Sequence, residues 1–296
     1  MYSARAEART DMYENIIVGY DGSDYSKAAF KESAAWIKRH GGKATLVHGV
    51  YFDEEEFGIA PIQHEKRVEL GKKVCYIAAP EASERFGIEA DQLVCEGEPP
   101  DVIVNVATGR NADLIALGTH GRRGLKRLIM GSVTSKVIMD SPCDVLVVKR
   151  PCSDCGGRFS RVLVPYDGSE FSKKALERAC RLAGLDGSEV TALYVIPRYE
   201  EMGGYFKTAS VMKSLNDEAE KILQGAREIA SKAGVELKTE VRDGVAADII
   251  VEEAAKGGTD LIIMGSHGWR GFNRAIMGST AERVIMTGAC PILVAR

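Results

Sequence analysis

Short apolar runs alternate with longer amphipathic stretches along this chain, and the whole alternation occurs twice. In the first half, residues 16–19, 44–50, 89–94, 114–117 and 145–148 are rich in Val, Ile and Leu and bounded by turn-forming or charged residues, which predicts strands. Between them, 26–39, 64–86, 99–109 and 132–140 carry apolar residues at helical spacing. The second half repeats the order, with strands expected at 162–165, 189–195, 236–241, 261–264 and 292–295. Strands alternating with helices require right-handed crossovers, and hence a mostly parallel sheet with helices on both faces. Five strands per half suit a doubly wound α/β domain of roughly 145 residues.

The repetition extends to individual residues. The segment Asn15-Ile-Ile-Val-Gly-Tyr-Asp-Gly-Ser23 is echoed by Arg161-Val-Leu-Val-Pro-Tyr-Asp-Gly-Ser169, at an offset of 146. From Gly118 to Met139, 13 of 22 positions are identical to those from Gly265 to Met286, an offset of 147. So many identities mark a duplication. The chain therefore divides into a tail at 1–12, a first domain at 13–150, a linker at 151–158 and a second domain at 159–296. The linker region holds a Pro, two Gly and no periodic apolar pattern.

Composition narrows the class. A formal charge of -3 argues against a general nucleic-acid or membrane-surface binder, which would be basic. No stretch approaches the roughly 18 consecutive apolar residues of a membrane span, and the charged N-terminus lacks a signal core. The seven cysteines are odd in number and scattered, unlike a secreted disulfide framework. The expectation is a cytoplasmic protein with reduced thiols, Cys143 and Cys290 serving as small buried hydrophobes.

In an open parallel sheet, ligands bind outside the carboxyl ends of the strands where the strand order reverses. Two loops should meet there in each half. One follows the first strand and holds Asp21, or Asp167. The other follows the fourth strand with the form Gly, two residues, Gly, nine residues, Gly-Ser: Gly118, Gly121, Gly131 and Ser132, then Gly265, Gly268, Gly278 and Ser279. Glycines let a phosphate approach the backbone amides closely. The closing Gly-Ser opens a helix, whose amides and dipole attract an anion, and the serine can cap the helix or bond a phosphate oxygen. Glycines after strands also make ordinary turns, but two copies with identical spacing favour a phosphate site.

This pattern, with the aspartate at the end of the first strand, resembles the ATP-binding branch of the universal stress protein (UspA) family over nearly the whole chain. The resemblance implies a five-stranded sheet in the order 3-2-1-4-5 in each half and dimerisation through the last strand. It implies an adenine nucleotide (ATP, ADP or AMP) with magnesium. By position, Gly118, Gly121, Gly131 and Ser132, and Gly265, Gly268, Gly278 and Ser279, would hold phosphates and ribose. Asp21 and Asp167 match the residue near ribose or adenine, Gly49 and Val195 the position whose backbone recognises adenine. Val133 and Thr280 would add amide contacts. The two halves are expected to pack as an intramolecular pseudo-dimer. A further homodimer stays open.

Other candidates weigh less. Arg122, Arg123, Lys126 and Arg127 in the first loop, against Trp269, Arg270, Asn273 and Arg274 in the second, suggest unequal affinities for a triphosphate. His120 and His267 lie between the first two glycines of each loop, where packing or hydrogen bonding is favoured over general-base work. Cys152 and Cys155 have the spacing of half a zinc site or a redox pair, but Gly156 and Gly157 follow instead of a helix. The acidic run at 53–57 and its counterpart at 199–204 read as solvated loops leading into the long second helix of each half, and the resemblance implies a place beside the nucleotide with room for a regulatory or lid role. The chain has no GxxxxGK[ST] loop, kinase motif set or evident general base. The leading expectation is thus a regulatory nucleotide binder with no catalytic residues. A slow ATPase or nucleotidyl transferase and an interaction module with a structural nucleotide remain the alternatives.

Overall fold

The computed structural model describes residues 12–52, 58, 61–121, 130–149, 157–197, 209–268 and 277–296. The first half runs β1 (Asn15–Gly19), α1 (Asp24–His40), β2 (Lys43–Val50), α2 (Pro61–Phe86), β3 (Ala90–Glu96), α3 (Pro99–Gly109), β4 (Leu114–Gly118), α4 (Ser132–Asp140) and β5 (Asp144–Val148). The second half repeats it as β6 (Arg161–Pro165), α5 (Glu170–Asp186), β7 (Glu189–Pro197), α6 (Ala209–Lys232), β8 (Leu237–Gly244), α7 (Ala246–Lys256), β9 (Leu261–Gly265), α8 (Ser279–Thr287) and β10 (Ile292–Ala295).

Local chemistry explains the matching elements. Ser23 caps α1 by accepting a hydrogen bond from the Ser26 amide, and Ser169 caps α5 by accepting from Ser172. Gly41 and Gly187 end those helices at φ values of 90° and 69°. The central strands β4, β5 and β9 are buried at every position, as a parallel sheet covered on both sides demands.

All ten strands form one sheet, in the order β3-β2-β1-β4-β5-β10-β9-β6-β7-β8. Each half therefore has the order 3-2-1-4-5, and every pairing within a half is parallel. The pairing of β5 with β10 is antiparallel. The two expected sheets are thus one continuous sheet, with the intramolecular pseudo-dimer closed through the last strands. Two apolar layers cover it: α1, α2, α5 and α6 pack on one face, and α3, α4, α7 and α8 on the other.

The joint also carries buried polar contacts. Asp144, at the start of β5, accepts hydrogen bonds from Tyr13 Oη at 2.7 Å, Arg178 Nε at 2.7 Å and the Arg296 amide at 3.0 Å. Burial, and then the Asp144 carboxylate, push the Tyr13 phenol well above its ordinary value. On the far side of α1, Asp186 pairs with Arg39 at 2.8 Å and with His40 at 3.3 Å. Met12, placed in the tail by its sequence, accepts a hydrogen bond from the Trp36 indole at 3.2 Å. Among the described residues, no helix is long and apolar enough to cross a membrane.

Candidate functional site

In each half, the strand order reverses beside the first strand. The chain moves from β1 to β2 on one side and later returns to β4 on the other, so a crevice opens between the loops after β1 and β4. The antiparallel β5–β10 pairing turns the second half around, so the two crevices open at opposite ends of the sheet.

The loop after β1 is built by Asp21. Its Oδ1 accepts from the Ser23 amide at 3.0 Å across Gly22, which has φ of 78°. The other oxygen, Oδ2, faces the loop after β4, where a Cβ on Gly121 would lie only 2.8 Å from it. Asp167 does the same, its Oδ1 bonding Ser169 N at 3.0 Å and its Oδ2 lying 2.8 Å from where a Cβ on Gly268 would stand. The structure thus brings each aspartate and the second glycine of each loop together. A side chain at that α-carbon would displace the carboxylate from this position.

The other glycines divide by role. A Cβ on Gly118 would lie 2.5 Å from Tyr25 Cβ, and one on Gly265 would lie 2.5 Å from Phe171 Cβ. These first glycines allow α1 and α5 to sit close on the sheet, a packing demand that the phosphate reading of their spacing did not include. Gly131 and Gly278 return the loops to the strand ends, donating to Thr119 O at 3.1 Å and Ser266 O at 3.0 Å.

Those last glycines are also the N-caps of α4 and α8, and neither cap is made by a side chain. Ser132 and Ser279 occupy the first helical positions and are exposed. The capping role open to these serines is therefore not taken. Among the described residues, no side chain caps either helix start, and an uncapped helix N-terminus attracts an anion. Val133 and Thr280 follow in the first turn and are half-buried.

At the second edge of the crevice, Gly49 and Val195 lie near the ends of β2 and β7 and are half-buried. A Cβ on Gly49 would meet Pro99 Cα at 2.6 Å, so the opening of α3 forces glycine there. At the corresponding places the second half has Val195 and Ala246, a larger residue matched by a smaller one.

His120 packs its ring 5.4 Å from Tyr25, with Nδ1 3.1 Å from Thr119 Oγ1. His267 packs 5.2 Å from Phe171, with Nδ1 2.9 Å from Ser266 Oγ. Tyr25, Phe171, Thr119 and Ser266 escaped the sequence reading, although their offsets of 146 and 147 match those of the motifs. Beneath the first loop, Thr134 Oγ1 donates to Gly118 O at 2.8 Å, while Ala281 stands at the equivalent place in the second. Arg122, Arg123, Lys126, Arg127, Trp269, Arg270, Asn273 and Arg274 lie outside the described residues, as do Cys152, Cys155 and both acidic loop segments.

Comparison with known proteins fits this architecture. The sequence model of the universal stress protein family matches residues 12–149 and again 158–296. A universal stress protein of Methanocaldococcus jannaschii is 36% identical over 142 residues, covering 47% of this chain and 82% of its own length. One from Mycobacterium tuberculosis is 27% identical over 292 residues, covering 95% of this chain and 96% of its own. The crystal structure of a universal stress protein from Archaeoglobus fulgidus shares the fold at a TM-score of 0.73 and 24% identity, across 97% of this chain and 98% of that one. Matched in both of its halves, the chain belongs to the universal stress protein family.

Proposed function

We propose that each half binds one adenine nucleotide, ATP, ADP or AMP, in the crevice between its first and fourth strands. The chain then acts in the cytoplasm as a regulatory binder with little or no turnover. The observation that carries this reading is the pair of matched cradles. In each, a carboxylate oxygen lies 2.8 Å from where a Cβ on the loop's second glycine would stand, and a helix start without a side-chain cap lies at the loop's end.

The residues present fit such a ligand. The amides at Gly131, Ser132 and Val133, and at Gly278, Ser279 and Thr280, would hold phosphate oxygens. Gly121 and Gly268 would let the chain approach them, while Asp21 and Asp167 would accept hydrogen bonds from ribose hydroxyls or from adenine. The backbone at Gly49 and Val195 would bond the base. Among the described residues, no group of three His, Cys, Asp or Glu side chains could hold a metal. Magnesium would accordingly be held chiefly by the phosphates. Each neighbouring histidine packs on an aromatic ring and has its Nδ1 within hydrogen-bond distance of the adjacent hydroxyl, which favours binding over hydrolysis.

Protein purified without added nucleotide, then denatured, should release about two equivalents of adenine nucleotide per chain, read by chromatography and mass spectrometry. Stripped protein should take up two equivalents of Mg-ATP in a titration and return it largely intact after hours. Failure to release or take up any nucleotide would sink the reading. Rapid metal-dependent product formation would instead move the chain to the enzymes.

A further inference from the structure

The duplication supplies an internal control for every surface, and one surface fails to repeat. Helix α2 and its counterpart α6 bury the same ladder: Gly71, Cys75 and Ala78 correspond to Ala219, Leu223 and Ala226, at an offset of 148. Their outer faces differ. On α2, Ile62 is 64% exposed, Leu70 50%, Tyr76 72% and Ile77 71%. The same places on α6 hold Ser210, Glu218, Gln224 and Gly225, and Pro80 is answered by Glu228. The exterior of α6 is polar apart from Val211 and Met212 in its first turn, 36% and 37% exposed, whereas α2 holds four more strongly exposed large apolar side chains in 16 residues.

The outer ridge of α2 also has the spacing of a helix-packing seam. Ile62, Lys66, Glu69, Lys73, Tyr76 and Pro80 recur at alternating intervals of four and three, all of them exposed. The seam is self-complementary when a second α2 is laid across it antiparallel about Gly71. Glu69 then faces Lys73 of the second copy, and Lys73 faces its Glu69. Lys66 reaches the Tyr76 ring, and Ile62 meets Pro80. Tyr76 and Pro80 already wall a groove of about 520 Å³ with Lys43, Ala44 and residues 89–92, next to the place that Ile62 of the second copy would take against Pro80. Parallel stacking would set Glu69 on Glu69 and Lys73 on Lys73. The last strands cannot serve for pairing chains, since β5 and β10 already pair with each other.

We propose that two copies of the chain associate as a two-fold dimer through α2, packed antiparallel on the α2 of the second copy. A two-fold contact uses one patch on both partners, and the patch occurs once per chain, so assembly closes at two. The association does not depend on bound nucleotide.

The test is the mass of the full-length protein in solution, by light scattering behind size exclusion and by sedimentation equilibrium, with and without Mg-ATP. The expected species is twice the 32.1 kDa chain. Lys73→Glu crowds four carboxylates into the seam and should raise the dimer dissociation constant at least about tenfold. Glu69→Lys should do the same, and the double variant E69K/K73E should restore dimerisation. Lys221→Glu makes the same local change on α6 and should leave assembly untouched, which separates a lost interface from a weakened helix. Tyr76→Ser should weaken the dimer by a similar factor while circular dichroism stays unchanged. A chain that remains monomeric at about 100 μM overturns the proposal. So does a dimer that survives both charge reversals, or one that E69K/K73E fails to rescue.

Discussion

Leu146 on β5 pairs with Leu293 on β10, and Leu293 is the duplicate of Leu146 at the offset of 147. The pseudo-two-fold axis relating the halves therefore passes between these two side chains. His40 and Asp186 are also duplicates of one another, at the offset of 146, and they meet 3.3 Å apart at the ends of α1 and α5. In a symmetric pair of identical domains such a position would face its own copy. Here the two copies have become a base and an acid, with Arg39 added at 2.8 Å.

That divergence makes the joint sensitive to charge. Asp186 is only 1% exposed in its side chain and His40 15%, so a second carboxylate at position 40 would have little access to water. His40→Asp should destabilise the protein by about 3 kcal/mol or more, the scale of an uncompensated buried charge. Asp186→Asn should cost less, because an amide can still accept from Arg39. Urea unfolding at pH 7 measures both, and equal losses would contradict the argument.

The thiols predict an alkaline limit. Burial pushes Cys143, Cys180 and Cys290 up to about 11. An unfolded thiol ionises near 8.5. A folded value above the unfolded one means that the fold favours the protonated form. The stability this contributes is therefore whole below about pH 8.5 and is lost as pH rises through about 11. Unfolding midpoints should fall across that window. Native alkylation of the three at about pH 8 should be slower by roughly a hundredfold than in denaturant. Equal rates would show the thiols to be accessible.

Gly121 and Gly268 allow the two crevices to be switched off separately. Gly121→Val places a side chain where the Asp21 carboxylate lies, and Gly268→Val does so against Asp167. Each variant should release one equivalent of nucleotide in place of two, and the double variant none. Overpacking at a surface loop should cost no more than about 1–3 kcal/mol of stability, so the folded protein remains available for titration. A single variant that emptied both sites would show them to be coupled.

Gly49 tests how the duplicates compensate. Gly49→Val should destabilise the first half, because its Cβ would lie 2.6 Å from Pro99 Cα. Changing Pro99→Ala as well imitates the Val195 and Ala246 pairing of the second half, but it keeps the Cα and Cβ that the new side chain meets at 2.6 and 3.0 Å, so it should recover little of the loss. Full recovery in thermal unfolding would mean that the proline ring, not the backbone at α3, sets the limit.

The strands, helices and duplication were readable because they depend on local pattern. Residues 99–109 and 132–140, for example, became α3 and α4 with the expected ends. The loop motifs were readable for their spacing but not for their division of labour. Gly118 is glycine because of Tyr25, a residue 93 positions earlier, and no local signal announces that contact. Ser132 looked like a cap because serine caps helices, yet the chain enters α4 one residue sooner at Gly131. The joint through the last strands was implied by the family resemblance, while its antiparallel register was not readable, since the four residues of β10 carry no mark of their partner.

Joining the halves in one chain changes what dilution can do. Two separate domains would find each other only above their dissociation constant, and at low copy number each would often be alone. Here β5 meets β10 at an effective concentration set by the tether and not by the cell. Every molecule made therefore carries both crevices in fixed opposition, whether the cell holds ten copies or ten thousand.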